Sequence, residues 1–314
     1  MRGIVRPIDN TSWTSQSPYD RFHDFIALGA DRFAVLVDHL ENLDLNILVI
    51  HIEENRHILV FPDGIDLKLS PGSPFPFRGE SPVVLTAHYD RVEGSQGAND
   101  NSAAVFMLIK AALRLKELGA ERWMIIFTDK EELKSGEGIQ KQGACGLAKR
   151  LFRLGLGQAR VFNFDACGTG GTFIFSSTVG YLLEKVGMSG TGRTAQRLRM
   201  LQEGAIEMAD NLGIGPVLAV PAPFSDDAGF LQGGIPSQTI TMLPRAEAAY
   251  LLCLLRRRPT FADTIIGGTT EISRDYRNIP ETWRCINGPE DSHFRLTPEH
   301  FPKIVRLAVE LCRK

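Results

Sequence analysis

The N-terminal quarter of the chain begins with apolar positions at helical spacing. Between residues 19 and 43, apolar side chains recur mostly at intervals of three and four, which predicts a helix with one buried face. Two β-rich stretches, 46–51 and 57–61, follow it and are predicted to form strands. The Pro- and Gly-rich stretch 70–82 predicts a loop before the pattern changes.

From residue 83 onward, short apolar stretches alternate with longer helical ones. Residues 83–87, with the sequence VVLTA, are almost wholly apolar, as expected of a strand that is covered on both faces. The predicted strands are 83–87, 123–127, 161–164 and 238–242, and the predicted helices are 101–119, 143–154 and 194–212. A final helix is predicted from Thr297, which would be its N-cap, with Pro298 at the first helical position.

Strands that alternate with helices predict βαβ units and a mainly parallel sheet. The 314 residues are long enough for two domains, but no stretch of linker-like composition divides them. We therefore predict a single α/β domain over residues 1–314, built as an α/β/α sandwich: a mixed, mainly parallel sheet with helices on both faces. Residues 1–80 would supply the N-terminal helix and a β-rich entry to the same domain.

The composition excludes several classes of protein. Lys and Arg number 35 against 37 Asp and Glu, and this balance gives no general attraction to nucleic acid or to an anionic membrane surface. No apolar run approaches the roughly 18 residues of a membrane span, and the first residues lack the apolar stretch of a secretory signal. The five cysteines are scattered without a CxxC pair. We expect a cytoplasmic protein that binds neither nucleic acid nor membranes; its oligomeric state stays open.

Charged side chains follow directly after three of the predicted strands. His88 and Asp90 follow the first strand of the sheet, Glu131 and Glu132 follow the second, and Asp165 follows the third. In open α/β sheets the ligand site lies beyond the carboxyl ends of the strands. These groups are therefore expected to meet at one edge of the sheet.

Asp100 joins this set from the loop that opens the long helix 101–119. Taken singly, each of these residues has a structural explanation, such as an N-cap or a solvated loop position. Together they form a crowd of carboxylates, which repel each other and resist desolvation unless a cation lies among them. Imidazole and carboxylate ligands suit zinc, with manganese or cobalt as alternatives, and a shared carboxylate can bridge two ions.

These residues resemble the zinc-dependent aminopeptidases with two co-catalytic metals, the family that also includes glutamate carboxypeptidases and glutaminyl cyclases. The resemblance extends from about residue 83 to the C-terminus. It is carried by HYDRVEGSQGANDNSAAV at 88–105, where the family has His-x-Asp and then Gly-Ala-x-Asp-Asn, and by FTDKEE at 127–132. It is also carried by Asp165 and by Ser225-Asp226-Asp227 with Phe230, where the family usually has Ser-Asp-His and a Phe.

The resemblance implies a metal centre and a catalytic base. His88 and Asp165 would bind one zinc ion, Asp100 would bridge two ions, and Glu132 would bind the second. Glu131 would be the general base that activates water and later protonates the leaving amine.

The resemblance also implies supporting and substrate-binding roles. Asp90 would accept a hydrogen bond from the imidazole of His88 and fix its tautomer. Ser225 and Asp226 would lie near the substrate, which the family leads us to expect to be a peptide or another aminoacyl compound.

One position departs from the family pattern. The last zinc ligand of the family is a His in a segment like His-Thr-Pro-x-Asp-Thr, and the matching segment here is INGPEDSHFRLTPEHF. Asn287 stands in place of that His, whereas Pro289 and Asp291 are retained. A carboxamide oxygen is a poorer zinc ligand than imidazole. His293 or water could complete the second site instead.

Three functions are compatible with these residues. The first is a metallo-aminopeptidase in which a metal-activated water attacks the first peptide bond. The second is another amide reaction on the same scaffold, including cyclisation of an N-terminal glutamine by a single zinc. The third is a non-catalytic descendant of the family. This possibility follows from Asn287, which replaces the last His ligand of the family.

Overall fold

An eight-stranded mixed sheet is the framework of the fold. The computed structural model describes residues 12–15, 17–65, 82–187, 192–267 and 275–313. The strands are β1 (Ile47–Ile52), β2 (Asn55–Val60), β3 (Val83–His88), β4 (Trp123–Thr128), β5 (Arg160–Phe164), β6 (Thr172–Ser176), β7 (Val217–Val220) and β8 (Ser237–Leu243). The helices are α1 (Phe22–Ile26), α2 (Arg32–Asn42), α3 (Ala103–Glu117), α4 (Gly143–Leu151), α5 (Thr178–Lys185), α6 (Arg193–Leu212), α7 (Asp226–Gln232), α8 (Arg245–Arg257), α9 (Phe261–Ile266), α10 (Glu281–Cys285) and α11 (Phe301–Arg313).

The strands lie in the order β1-β2-β4-β3-β5-β8-β6-β7. The four central strands β4, β3, β5 and β8 are parallel. The pairs β1–β2, β2–β4 and β6–β8 are antiparallel, whereas the edge strand β7 is parallel to β6. The chain leaves β3 towards β4 on one side and later reaches β5 on the other, so the strand order reverses at β3. A crevice beyond the carboxyl ends of the strands forms at such a point.

Helices cover both faces of the sheet. Helices α3, α6 and α11 pack on one face, while α4 and α7 pack on the other, where α8 and α9 extend the layer over β6 and β8. Alternate side chains of β3 enter opposite cores: Val83 and Leu85 face α3, whereas Val84 faces α4. This two-sided burial explains the continuous apolar sequence of the strand. The predicted α/β sandwich is confirmed.

The prediction of one helix over residues 19–43 is wrong, because the chain forms two helices there, α1 and α2. Gly29 lies between them with a φ of +83°, a conformation that glycine adopts without steric cost. Asp31 then caps α2, its carboxylate accepting a hydrogen bond from the backbone N–H of Ala34 at 3.1 Å. The apolar spacing continues across the break because both helices bury the same side against α3.

Two other predictions about local structure concern Thr297 and the loop 70–82. Thr297 is the N-cap of the short 3₁₀ turn Pro298–His300, with Pro298 at its start, and this turn leads directly into α11, which begins at Phe301. The Thr297 hydroxyl makes no capping hydrogen bond. Its hydroxyl instead accepts a hydrogen bond from the backbone N–H of Gly170 at 2.7 Å and so fastens the loop before β6. The predicted loop over 70–82 lies outside the described residues apart from Pro82.

Among the helices that the structure describes, none combines the length and the apolar character that a membrane span requires.

We expect substitution of Phe106 on α3 to be strongly destabilising. This side chain is 1% exposed, and its ring meets those of Phe22 and Phe25 at 5.2 and 5.5 Å between centroids. Phe106→Ala should lower the free energy of unfolding by about 3–5 kcal/mol, measured by urea denaturation, because it leaves a cavity among these rings. Phe294→Ala is the control, since that ring is 77% exposed, and its effect should stay within about 0.5 kcal/mol. Equal losses in both variants would contradict this account of the core.

Candidate functional site

The ends of three neighbouring central strands place the candidate ligands. His88 is the last residue of β3, Asp165 directly follows β5, and Glu131 and Glu132 lie in the loop after β4. Asp100 lies in the helical turn Ala98–Ser102 that leads into α3. The structure therefore brings all five side chains to the same edge of the sheet.

His88, Asp100 and Asp165 form a buried cluster. The Nε2 atom of His88 lies 2.9 Å from Oδ1 of Asp100 and 3.5 Å from Oδ1 of Asp165. One donor atom from each of the three residues lies within 4.8 Å of the other two. The same limit is met by a second group, in which His88 is joined by Glu131 and Glu132.

Asp90 links the imidazole to the glutamate loop. Its Oδ1 lies 3.5 Å from Nδ1 of His88, on the opposite side of the ring from Asp100. The two oxygens of the same carboxylate accept hydrogen bonds from the backbone N–H groups of Glu131, at 3.1 Å, and Glu132, at 3.0 Å. The partly buried carboxylate of Asp90 therefore orients a candidate ligand and the loop that carries the candidate base.

A polar network holds Asp165 from the neighbouring strands. The hydroxyl of Ser225 donates to Oδ2 of Asp165 at 2.5 Å, and the amide of Asn163 on β5 donates to Ser225 at 2.6 Å. Asn163 also accepts a hydrogen bond from Thr86 on β3 at 2.9 Å. Ser225 lies at the candidate substrate cavity described below, so its position serves both the carboxylate and the cavity.

Asp226 is placed differently from Ser225. It is fully buried, and its Oδ2 accepts a hydrogen bond from the hydroxyl of Thr128 at the end of β4, at 2.5 Å. Burial raises the pKa of Asp226 to about 7. It is not among the described residues that line the candidate substrate cavity, and its proximity to the substrate stays a prediction.

Two residues that are distant in sequence support the turn that carries Asp100. The carboxylate of Asp291 accepts hydrogen bonds from the backbone N–H groups of Asn99, at 2.7 Å, and Asp100, at 3.1 Å. The guanidinium of Arg32 on α2 donates to the carbonyl of Asp90 at 2.9 Å and to the hydroxyl of Ser102. The candidate centre is thus fixed by residues near both ends of the chain.

The charges in the cluster shift the titration of its members. Burial lowers the pKa of His88, but the neighbouring carboxylates of Asp165 and Asp100 outweigh it and raise that pKa well above its usual range. Burial raises the pKa of Asp165, but the charge of His88 and the hydrogen bond from Ser225 bring the net pKa below its usual range. The pKa of Asp100 is raised, chiefly by burial and then by the charge of Asp165.

The two adjacent glutamates are both shifted upwards. Burial raises the pKa of Glu131 well above its usual range, against the charge of His88. Burial and then the charge of Asp100 raise the pKa of Glu132 to about 9. These directions show that the pocket disfavours the ionised carboxylates unless a positive charge lies among them.

The donor set fits a divalent cation. Oδ1 of Asp165 and Oε1 of Glu132 are buried and have no hydrogen-bond partner within the part of the chain that the structure describes. Buried carboxylate oxygens without a partner are costly, and a bound cation would satisfy them. One imidazole nitrogen with several carboxylate oxygens is a ligand set suited to zinc.

A cavity of about 250 Å³ opens beside the cluster. Asp100, Glu131 and Asp165 contribute to its polar side. Its other side is mostly apolar and is lined by Phe224, Ile265, Ile266, Ile279, Trp283 and Ile286, among others. A substrate in this cavity would therefore meet the candidate base and two candidate ligands on one side and an apolar surface on the other.

Asn287 lines the same cavity, at the position where the family pattern has a His. Its backbone has a φ of +64°, which asparagine tolerates better than most residues. His293 is placed elsewhere, with its ring against those of His23 and Phe294 and its Nδ1 3.3 Å from the side-chain oxygen of Gln96. It is not among the described residues that line the cavity.

Sequence reasoning missed several residues that matter to this geometry. Arg32 lies in a helix far from any motif, and Asn163 lies inside an apolar strand, so neither gives a local signal. The sequence also does not predict the roles of Gln142 and Trp283. The amide of Gln142 donates to Oε1 of Glu131 at 3.0 Å, and Trp283 lies in the cavity wall. A polar residue within the apolar strand VFNF was the one available signal, since such a residue needs a partner.

The sequence model of Peptidase family M28 matches residues 67–264, more than half of the chain, and the chain therefore belongs to this family. The predicted family is thereby confirmed. None of the curated proteins gives a significant sequence match.

Solved structures of similar shape include a Zn-dependent exopeptidase from Parabacteroides distasonis, with 14% identity, a TM-score of 0.58, and coverage of 93% of this chain and 94% of that one. A glutaminyl cyclase from Bacteroides thetaiotaomicron, bound to N-acetylhistamine, has 15% identity and a TM-score of 0.59. The match covers 93% of this chain and 94% of the cyclase. BSAP, a zinc aminopeptidase from Bacillus subtilis, has 18% identity, a TM-score of 0.48, and coverage of 81% and 49%, so this chain spans about half its length. At these identities the similarity to the exopeptidase and to the cyclase shows the fold alone.

We expect Asp291→Asn to weaken metal binding at the Asp100 turn. The new NH₂ group would face a backbone N–H, so one of the two hydrogen bonds that hold the turn is lost. Zinc affinity, measured by competition with a chromophoric chelator, should fall about 10–100-fold. Glu290→Gln is the control, since the neighbouring Glu290 side chain is 71% exposed, and its affinity should not change. A folded Asp291→Asn protein with unchanged affinity would rule out this supporting role.

Stability without metal should fall as the pH rises. The folded state holds a proton on Glu132 with a pKa of about 9, against an ordinary value of 4.5 in the unfolded chain. The resulting stabilisation is fully present below pH 4.5 and is lost as the pH rises through 9. Calorimetry with a chelator should therefore show a falling Tm between these limits, and zinc should raise Tm more at the alkaline end. A smaller slope is expected for Glu132→Gln, and a Tm that rises with pH in the chelated protein would refute the assignment.

Proposed function

We propose that this protein is a metal-dependent hydrolase, most specifically an aminopeptidase that removes N-terminal residues from peptides. The observation that carries the proposal is the burial of His88, Asp100 and Asp165 within ligand distance of one another, beside a cavity that Glu131 also lines. Membership of a peptidase family supports the same reaction class.

The metal that we propose is zinc. His88 and Asp165 would hold one ion, Asp100 would be shared, and Glu132 would contribute to a second. Zinc bound there would supply Lewis acidity, which polarises the scissile carbonyl and makes water easier to deprotonate. The zinc-dependent exopeptidase of similar fold supports this choice. Asn287 offers only a weak ligand to the second ion, so we propose that the first site is the tighter one.

Glu131 is proposed as the group that moves the proton. Gln142 donates a hydrogen bond to its Oε1, which leaves Oε2 to accept the proton of the attacking water. The same atom can then give the proton to the leaving amine. The hydrogen bonds from the backbone of Glu131 and Glu132 to Asp90 fix the loop, so that the carboxyl group stays at the cavity while the proton moves.

The apolar wall of the cavity supports a preference for an apolar N-terminal residue. Ile265, Ile279 and Trp283 would cover such a side chain and remove it from water. The indole N–H of Trp283 is buried and has no partner among the described residues, so it is available to a polar atom of the substrate.

The deciding experiment incubates the zinc-loaded protein with peptides that carry a free N-terminal Leu, and with the same peptides after N-acetylation. Mass spectrometry should show loss of the first residue from the free peptides only. Glu131→Gln should reduce turnover about 10²–10⁴-fold while zinc binding stays nearly intact, because the base is lost but the ligands remain. An active Glu131→Gln protein would disprove the assigned role.

Glu93→Gln is the matched control for that variant, since Glu93 is an exposed glutamate in the loop after β3 and should leave turnover unchanged. A wild-type protein that binds no zinc and cleaves no peptide would instead favour a non-catalytic descendant.

A second candidate is cyclisation of an N-terminal glutamine. The replacement at Asn287 favours a one-metal reaction because it weakens one metal position, and the glutaminyl cyclase of similar fold supports it. The retained His88 and Asp165 count against it, since a cyclase would keep a different subset of the ligands. Peptides with N-terminal Gln distinguish the two reactions, since a cyclase releases ammonia and retains the residue.

The cytoplasmic location expected from the sequence stays a prediction.

A further inference from the structure

One basic side chain lies in the wall of the candidate substrate cavity, the cavity of about 250 Å³ beside the metal cluster. This residue is Arg284 on α10, and it is the one Lys, Arg or His among the described residues that line the cavity. The acidic residues of the lining are Asp100, Glu131 and Asp165, which belong to the candidate metal centre. The function proposed above gives Arg284 no role.

The guanidinium of Arg284 is anchored but not neutralised. The residue is half-buried, and its Nε donates to the backbone carbonyl of Ile279, another lining residue, at 3.0 Å. The carboxylates of Glu281 and Glu290, which are near it in sequence, pair with Arg295 instead. Within the described ranges Arg284 forms no ion pair, so its two terminal NH₂ groups remain for an anionic ligand.

The cavity is therefore acidic at the metal cluster, basic at Arg284 and mostly apolar elsewhere. Ile265, Ile279 and Trp283 form part of the apolar wall. Carboxylates attract an ammonium group, and a guanidinium forms paired, charge-assisted hydrogen bonds with a carboxylate. A ligand that matches this surface carries an ammonium group, an apolar side chain and a carboxylate.

The size of the cavity selects the length of that ligand. A sphere of the same volume is about 8 Å across, and two extended residues span about 7 Å. The two charges of a dipeptide are thus far enough apart to meet separate parts of the wall. Those of a single amino acid flank one carbon, and a tripeptide, at about 10 Å, exceeds the space.

We propose that the cavity is specific for dipeptides with a free carboxyl terminus, and that Arg284 binds their carboxylate. The ammonium group would lie at the acidic side, and the first side chain would lie against Ile265 and Trp283. Cleavage of these dipeptides rests on the proposed function, but their binding does not. An acidic side chain of a substrate offers the same carboxylate chemistry, and the experiment separates the two sources.

The test is calorimetric titration of the zinc-loaded Glu131→Gln protein, in which turnover should be lost, with Leu-Leu and with its C-terminal amide. Leu-Leu should bind about tenfold more tightly, because the amide loses the charge-assisted hydrogen bonds with Arg284. Attraction to the acidic side alone predicts the reverse order, since the amide has a net positive charge and Leu-Leu has none. Equal affinity, tighter binding of the amide, or no binding of either peptide would overturn the proposal.

Variants of Arg284 locate the carboxylate. Arg284→Gln should remove the preference for Leu-Leu over its amide. Arg284→Lys should retain part of it, because the charge remains but the planar pair of donors is lost. Arg277→Gln is the matched control and should keep the full preference, since this exposed arginine is not among the described lining residues. A folded Arg284→Gln protein with the full preference would refute the assignment; if it does not fold, the two peptides on the protein that retains Arg284 still decide.

Two further peptides, Leu-Glu amide and Leu-Gln amide, identify the source of the carboxylate. Both lack the terminal carboxylate, and only the first has an acidic side chain. Leu-Glu amide should bind no more tightly than Leu-Gln amide. A preference for Leu-Glu amide that disappears in Arg284→Gln would assign Arg284 to an acidic side chain and overturn the assignment to the carboxyl terminus.

Cleavage of the same peptides by the unaltered protein separates this proposal from the proposed function. Preferential binding of Leu-Leu without cleavage of any peptide would refute the proposed function alone. Cleavage of both Leu-Leu and its amide, with equal affinity for the two, would refute the dipeptide specificity alone.

Discussion

Mutual repulsion among buried carboxylates is the constraint on which the rest of this structure depends. Six acidic side chains meet around one imidazole at the carboxyl end of the sheet, and most of them are removed from water; they are Asp90, Asp100, Glu131, Glu132, Asp165 and Asp226. Charges of one sign in a poorly solvated place must be neutralised by protons, hydrogen bonds or cations. The directions of their pKa shifts show which carboxylates are stabilised in the ionised form and which are stabilised in the protonated form.

Hydrogen-bond donors decide which carboxylates stay ionised. Asp90 accepts hydrogen bonds from the backbone N–H groups of Glu131 and Glu132, and its pKa is lowered. The pKa of Asp165 is lowered by the charge of His88 and by the hydrogen bond from Ser225. Glu132 receives much less help, and its pKa is raised. Asp90 and Asp165 can therefore orient their neighbours as ionised carboxylates. Glu132 is instead held protonated unless a cation binds beside it. The architecture makes this possible because loops from three adjacent strands converge where the strand order reverses.

The central part of the fold and most of the candidate centre could be predicted from the sequence. The apolar strands around His88 and Asp165 are covered on both faces, so their pattern is strong and the residues after them fall at one edge. The sequence predicts one helix where α1 and α2 form, because the spacing of apolar residues does not reveal the positive φ of Gly29 between them. Strand β6 was missed because it directly follows a glycine-rich stretch, and β7 is only four residues long.

Supporting contacts were harder to foresee because they join positions that no local pattern connects. Arg32 reaches the site from the second helix, and Asn163 acts from within a strand. Their importance arises only when packing brings separate elements together. The hydrogen bond from Thr128 to Asp226 is of the same kind, because the motif that contains Asp226 does not indicate this partner.

The contact between Asp291 and the turn at Asp100 also bears on how the protein matures during synthesis. These residues are 191 positions apart, and a ribosome releases the chain from the N-terminus. The backbone N–H groups of Asn99 and Asp100 can donate to this carboxylate only after residue 291 has emerged. A nascent chain that ends before residue 291 therefore carries all the candidate ligands but lacks the two hydrogen bonds that hold the Asp100 turn.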